Sequence, residues 1–175
     1  MNRLALFCGA MLLFAGIASA QDSSRVEVFG GYSLLHVSDQ GATADFNGGS
    51  GSLSYNLTPW LGVVGDFGGY HWTNSGGNAN VVTYLFGPKL SYHRGPVTPF
   101  VQALFGGAHE SGNSFNASVS EDAFATAVGG GVDWNATPRI GIRVIQVEYL
   151  LTKFNDGFNN RQNNARVSAG VVFRF

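Results

Sequence analysis

Over residues 166–175 hydrophobic and polar positions alternate one by one. Val167, Ala169, Val171, Phe173 and Phe175 form one set, and Arg166, Ser168, Gly170, Val172 and Arg174 the other. A period of two marks a β-strand with two unlike faces. The same parity recurs upstream. Val26, Val28, Tyr32 and Leu34 oppose Glu27 and Ser33. Leu61, Val63 and Phe67 oppose Asp66, and Tyr84, Phe86, Leu90 and Tyr92 oppose Thr83, Lys89 and Ser91. Val101, Ala103 and Phe105 oppose Gln102. Phe124, Val128, Val132 and Trp134 oppose Asp133, with Thr126 on the apolar side. These patterns predict strands over 25–36, 48–57, 60–71, 81–92, 99–109, 123–134, 139–152 and 165–175.

The strands are punctuated by a rhythm of about forty residues. Pro59, Pro99 and Pro138 each follow a threonine in a short segment between two β-like runs. Proline fixes φ and lacks a donor, which suits turns and strand starts. Between these turns lie segments rich in Gly, Asn, Ser and Asp: Ser38 to Asn47, Thr73 to Asn80, Glu110 to Asp122 and Asn155 to Asn164. Short turns at one end and long polar loops at the other predict a closed eight-stranded antiparallel β-barrel, an all-β up-and-down meander. A propeller of similar repeat length would need four strands per repeat and a recurring Trp-Asp signature, and neither is present.

The faces decide the solvent. A soluble barrel puts hydrocarbon inside and charge outside. Here the large hydrophobes share a face without charge, while single charges sit among Gly, Ala and Ser. That is the transmembrane arrangement, apolar-out and polar-in, and strands of this length can cross a bilayer. The inward set is Glu27, Asp66, Asp133 and Glu148 against Lys89, Arg143, Arg166 and Arg174. Four acids meet four bases, which predicts an ionic plug in an interior only wide enough for side chains. The seventh strand breaks parity, because Arg143 is odd while Gln146 and Glu148 are even. A β-bulge near Val144-Ile145 would turn all three inward. The alternative is that Gln146 and Glu148 face out near the membrane rim. Interface aromatics are expected at both edges: Tyr70 and Trp72 at the loop edge, and Trp60, Tyr92, Phe100 and Trp134 at the turn edge.

Composition agrees. Charged residues are 12% of the 175, and 25 are Gly and 14 Phe, so the chain is neither a solvated disordered tail nor short of β-prone residues. The net charge of -1 gives no footprint for nucleic acid. Residues 1–20 read as a secretory signal: Arg3, then the apolar Leu4 to Ile17, then Ala18-Ser19-Ala20 before Gln21. Cys8 lies inside the apolar stretch behind Phe7, so lipidation is not expected. Cleavage near Ala20 would remove the one cysteine and Arg3, leaving 9 basic and 11 acidic residues in a barrel domain over 21–175.

The ending Val171-Val172-Phe173-Arg174-Phe175 resembles the C-terminal signal of Gram-negative outer-membrane barrels, with Val171, Phe173 and Phe175 as its apolar positions. Val26-Glu27-Val28-Phe29-Gly30-Gly31-Tyr32-Ser33 and Gly129-Gly130-Gly131-Val132-Asp133-Trp134 look like segments of small OmpA/OmpX-type β-barrel domains. The resemblance implies the outer membrane as location, lipid and lipopolysaccharide as surroundings, and barrel-assembly machinery as a partner during insertion. OmpA-type proteins carry a further peptidoglycan-binding domain. This sequence stops at the barrel, so a cell-wall tether is not expected.

The superfamily also includes lipid A-modifying enzymes, one of them a deacylase with a His-x-Ser pair and a supporting acid. His36-Val37-Ser38 has that spacing, but no acid is obviously placed beside it. His109-Glu110-Ser111 has the residue types, but neighbouring strand residues point to opposite faces. His36, His71 and His109 fall near one rim, where polar interface residues explain them better than a metal. The expectation is a non-enzymatic protein without cofactor or metal, structural or acting in recognition through its loops, where Phe115 and Phe158 stand among polar residues. A lipid A-modifying enzyme and a narrow pore are the alternatives.

Overall fold

The computed structural model describes residues 24–39, 42–74, 77–93, 95–114, 117–153 and 161–175. The signal segment 1–20, Phe115 and Phe158 lie outside them. Among the described residues eight strands form a closed barrel: β1 (Val26–Asp39), β2 (Ala42–Asn56), β3 (Leu61–Asn74), β4 (Gly77–Ser91), β5 (Val97–Ser114), β6 (Ala117–Asn135), β7 (Ile140–Lys153) and β8 (Arg161–Arg174). Each pairs antiparallel with its sequence neighbours, and β1 closes on β8. Closure leaves no strand edge unpaired, which lipid requires because it offers no hydrogen bonds.

The seam between first and last strand is tight. Val26 and Phe175 exchange backbone hydrogen bonds at 3.2 and 2.9 Å. Gly31 faces Gly170 across it, and a Cβ on Gly31 would stand 2.2 Å from the Ala169 carbonyl oxygen. Only glycine allows that approach.

Two of the three Thr-Pro segments are turns of one design. The amide of Leu61 donates to Thr58 Oγ1, and that of Ile140 to Thr137 Oγ1, each at 2.9 Å. The third differs from expectation. Thr98 and Pro99 lie inside β5, and the turn sits earlier, at Gly95-Pro96, where Gly95 takes φ 60°. Pro99 still serves the ladder through its carbonyl, which accepts from the Tyr92 amide at 2.9 Å.

The polar segments expected as long loops largely continue as strand. β1 runs to Asp39 and β2 starts at Ala42, while β5 and β6 reach 18 and 19 residues. Only about 9–11 residues are needed to cross a bilayer, so these hairpins stand proud of it. Hydrophobic alternation marks the lipid-facing part of a strand, whereas a polar hairpin in water pairs without it. The bulge is present. Val132 pairs with Ile145 and Asp133 with Arg143, which leaves Val144 as the extra residue. Val144 and Ile145 both face out, and Arg143, Gln146 and Glu148 all face in.

Candidate functional site

The outward wall is hydrocarbon. Leu53, Val63, Phe67, Phe86, Phe105, Phe124, Val128 and Val147 are about half exposed, around the whole circumference. An apolar belt of that extent does not persist in water. Trp60, Tyr92 and Trp134 face out at the turn end, and Val171, Phe173 and Phe175 face out along β8.

Three aromatic residues expected in the interface point elsewhere. Tyr70 and Phe100 are buried inside the barrel, each 3% exposed. Trp72 packs against the interior cluster, its ring centroid 6.1 Å from that of Phe46. Their parity is the reason. Tyr70 and Trp72 follow Asp66 by even steps, and Phe100 precedes Gln102 by two, so each shares the inward face.

All eight charged residues of the inward set are buried, none more than 5% exposed, and hydrogen bonds join them into one network. At the turn end Lys89 Nζ donates to Glu27 Oε2 at 2.5 Å, and Arg174 Nε to Glu27 Oε1 at 3.1 Å. Arg174 continues to Asn135 Oδ1 and to Asp133 Oδ2, at 2.5 and 3.4 Å. Arg143 grips Asp133 in a fork, Nε to Oδ1 at 2.8 Å and Nη2 to Oδ2 at 3.2 Å, and its Nη1 donates to Gln146 Oε1 at 2.6 Å. Gln146 and Gln102 donate to the two oxygens of Glu148 at 2.7 and 2.8 Å. Arg166 Nε reaches Glu148 Oε2 at 2.7 Å, and its Nη1 reaches Asp66 Oδ1 at 2.6 Å and the Tyr70 hydroxyl at 3.3 Å. The Arg143 guanidinium lies 4.3 Å from the ring centroids of both Phe29 and Phe100, and Lys89 Nζ lies 4.9 Å from that of Phe100. Cations buried over aromatic faces are held by the ring quadrupole.

Residues that composition alone does not flag carry much of this network. Gln146 bridges Arg143 and Glu148, Gln102 holds Glu148, Asn135 holds Arg174, and Phe29 and Phe100 cover Arg143. Strand parity was the available signal for Phe29 and Phe100. Asn135 ends its strand, where parity says little.

Beyond Arg166, towards the hairpin end, the lumen turns apolar. Leu35, Val37, Phe46, Trp72, Val81, Ala108 and Leu150 pack together there.

On the outside of the hairpin end, a histidine in each of three hairpins faces its cross-strand partner. His36 Nδ1 lies 2.6 Å from Asp45 Oδ1, His71 Nδ1 2.7 Å from Asn80 Oδ1, and His109 Nδ1 2.8 Å from Asp122 Oδ1. Register steps them evenly. Asn47, two residues from Asp45, pairs with His71, and Val82, two from Asn80, pairs with His109. Phe124, two from Asp122, pairs with Lys153, which stands opposite Arg161. His36 is exposed beside Asp45, an acid that sequence spacing did not reveal; the Ser38 side chain lies outside the described residues. Among the described residues no group of three or more His, Cys, Asp or Glu could hold a metal ion.

Residues 5–175 match the model of a family described as the outer membrane protein beta-barrel domain. The chain belongs to that family. Its solved relatives are similarly small barrels. Neisserial surface protein A (NspA) is 17% identical with a TM-score of 0.75, over 89% of this chain and 100% of that one. Ail, the attachment invasion locus protein of Yersinia pestis, is 21% identical with a TM-score of 0.65, over 88% of this chain and 100% of its own. The N-terminal β-barrel domain of Pseudomonas aeruginosa OprF is 15% identical with a TM-score of 0.61, over 88% and 100%. No curated protein matches the sequence. Family membership puts the barrel in the outer membrane, and its apolar belt is the face that meets lipid.

Proposed function

We propose that this protein is a non-enzymatic, non-conducting outer-membrane barrel, sealed at the turn end by its ionic network and used for recognition at the hairpin end. The observation that supports this most is the continuity of the network from Lys89 to Asp66, with Arg166, Glu148 and Asp66 no more than 1% exposed. In this family's geometry short turns face the periplasm and the longer hairpins face outward, so β5 and β6, the longest strands at 18 and 19 residues, reach furthest to the exterior. Rigid scaffolds with exposed tips are where recognition concentrates.

Recording from purified protein in planar bilayers tests the seal. Silence is expected, and large steady single-channel openings overturn it. His36→Ala is expected to leave lipid A acylation unchanged, and an altered lipid A mass spectrum overturns the non-enzymatic reading. One Ail structure is described in complex with a heparin analogue, sucrose octasulfate. A sulfated polyanion is therefore the first exterior ligand to try, and the Lys153–Arg161 register pair is the place to look for it.

Residues 1–20 serve as the export signal in this reading, so mass spectrometry of membrane-extracted protein should find a chain starting at Gln21. Outside the barrel the partners are lipid and lipopolysaccharide. Val171, Phe173 and Phe175 serve as the insertion signal for the assembly machinery, and Phe175→Ala should lower the inserted fraction without altering refolding in detergent.

A further inference from the structure

The hairpin end of the lumen holds a cavity of about 70 Å³. About 10–15 Å³ of such space admits one water, so this cup takes on the order of five heavy atoms. Its apolar lining is Leu35, Val37, Phe46, Val81, Ala108 and Leu150, and Thr152 and Asn164 set a polar spot in it. Both polar side chains are buried, and Asn164 is 3% exposed. Asn164 Nδ2 donates to Thr152 Oγ1 at 3.4 Å, and Asn164 Oδ1 has no partner among the described residues. A buried acceptor without a donor is costly. Glu110 also lines the cup and has an interaction of its own, so the unmet polar atom among the described lining residues is that of Asn164.

One polar spot in a hydrocarbon wall narrows the occupant. A buried water wants two to four polar partners. A single water beside Asn164 and Thr152 finds them, but the rest of the lining gives further waters nothing to bond. Carbon is favoured there, because it takes apolar wall out of contact with water. A full charge is disfavoured, since burial against hydrocarbon strips its hydration. The polar end must therefore be neutral and must donate to Asn164 Oδ1. A hydroxyl does so, and its oxygen also accepts from the Thr152 hydroxyl. It serves equally well if the amide is turned about its axis, so that Nδ2 and not Oδ1 faces the cup.

We propose that this cup binds a short unbranched primary alcohol, with about four carbons at the available volume. The chain lies against Leu35, Val81 and Leu150, and the hydroxyl donates to Asn164 Oδ1. An alkane of the same size covers the wall but leaves Asn164 unmet. A carboxylate or an ammonium of the same length carries its charge into hydrocarbon.

The test is methyl NMR of the barrel in phospholipid nanodiscs, titrated with butan-1-ol. Saturable shifts are expected at the methyls of Leu35, Val37, Val81 and Leu150, with the outward Val167 and Val171 unmoved. Butyrate and n-butylammonium should bind at least about tenfold more weakly. Asn164→Leu keeps the side-chain size and removes the polar group. It should lower butan-1-ol affinity about three- to tenfold, the scale of one neutral hydrogen bond, and leave n-pentane binding undiminished. Ala108→Leu fills the cup and should abolish binding of both. Heat-modifiable gel mobility confirms that each variant is folded. Should either variant fail to fold, the comparison of alcohol with its charged analogues on the parent protein still decides. Shifts that never saturate, equal shifts on the outward wall, charged analogues that bind as well as the alcohol, folded variants that bind like the parent, or a cup that holds water only each overturn the proposal. The cup is separate from the ionic network, so its failure leaves the proposed seal standing.

Discussion

At the turn end of the lumen Glu27, Lys89, Asp133, Arg143 and Arg174 fill the cross-section with ions. At the hairpin end Leu35, Phe46, Val81 and Leu150 fill it with hydrocarbon. The first filling is rigid and directional, because each ion fixes the rotamer of the next. The second is non-directional, and it lines a gap of about 70 Å³. Within one barrel, polar satisfaction and apolar packing are therefore divided by height. The stiff half lies where the turns are short, and the half with spare room lies where the hairpins rise.

The largest effect should come from cutting the network at its middle. Arg166→Leu leaves Glu148 and Asp66 buried without their shared cation, a change on the order of 3–5 kcal/mol. Urea unfolding from lipid vesicles should show it, and a loss below about 1 kcal/mol would mean that water already reaches the ions. Next is Leu150→Ala in the apolar half, at about 2–5 kcal/mol, since the neighbouring cavity prevents collapse around the deleted atoms. If Arg166→Leu proves the milder of the two, the contrast between the halves is reversed. Gly31→Ala tests the seam and should cost roughly 1–3 kcal/mol through overpacking against the Ala169 carbonyl. Phe100→Leu should cost about 0.5–2 kcal/mol, the scale of a desolvated cation–π contact, whereas an outward aromatic such as Trp60 should matter chiefly for depth in the bilayer. His109→Ala should change stability least, by less than about 1 kcal/mol, because its partner Asp122 is exposed.

How much of this could be read from residues alone follows the same division. Alternation reported the wall reliably wherever one face meets lipid, since Phe, Val and Tyr against Gly, Ser and single charges leave one register open. It also named the eight ions and the place of the bulge, because Arg143 and Glu148 could not otherwise share a face. Reading failed where chemical type was set above parity. Tyr70, Trp72 and Phe100 resemble interface residues by kind, but their even numbering had already placed them with Asp66 and Gln102. It failed again above the bilayer. Strands that meet water on both faces carry no alternation, so the tall hairpins looked like loops. The apolar cup was hidden for a related reason. Leu35, Val81 and Leu150 stand on the polar face of their strands, and nothing local distinguishes an inward leucine from an outward one shifted by a residue.

The link between Glu27 and Arg174 spans 147 residues. Neither partner meets the other until the last strand docks against the first, so the bottom of the ionic network is assembled late. Until that moment Glu27 and Arg174 each lack a partner that the closed barrel supplies, and an ion short of partners is costly to carry into hydrocarbon. Whatever escorts the growing sheet must therefore offer these groups a wet or polar shelter, and release the product only once the cylinder has shut.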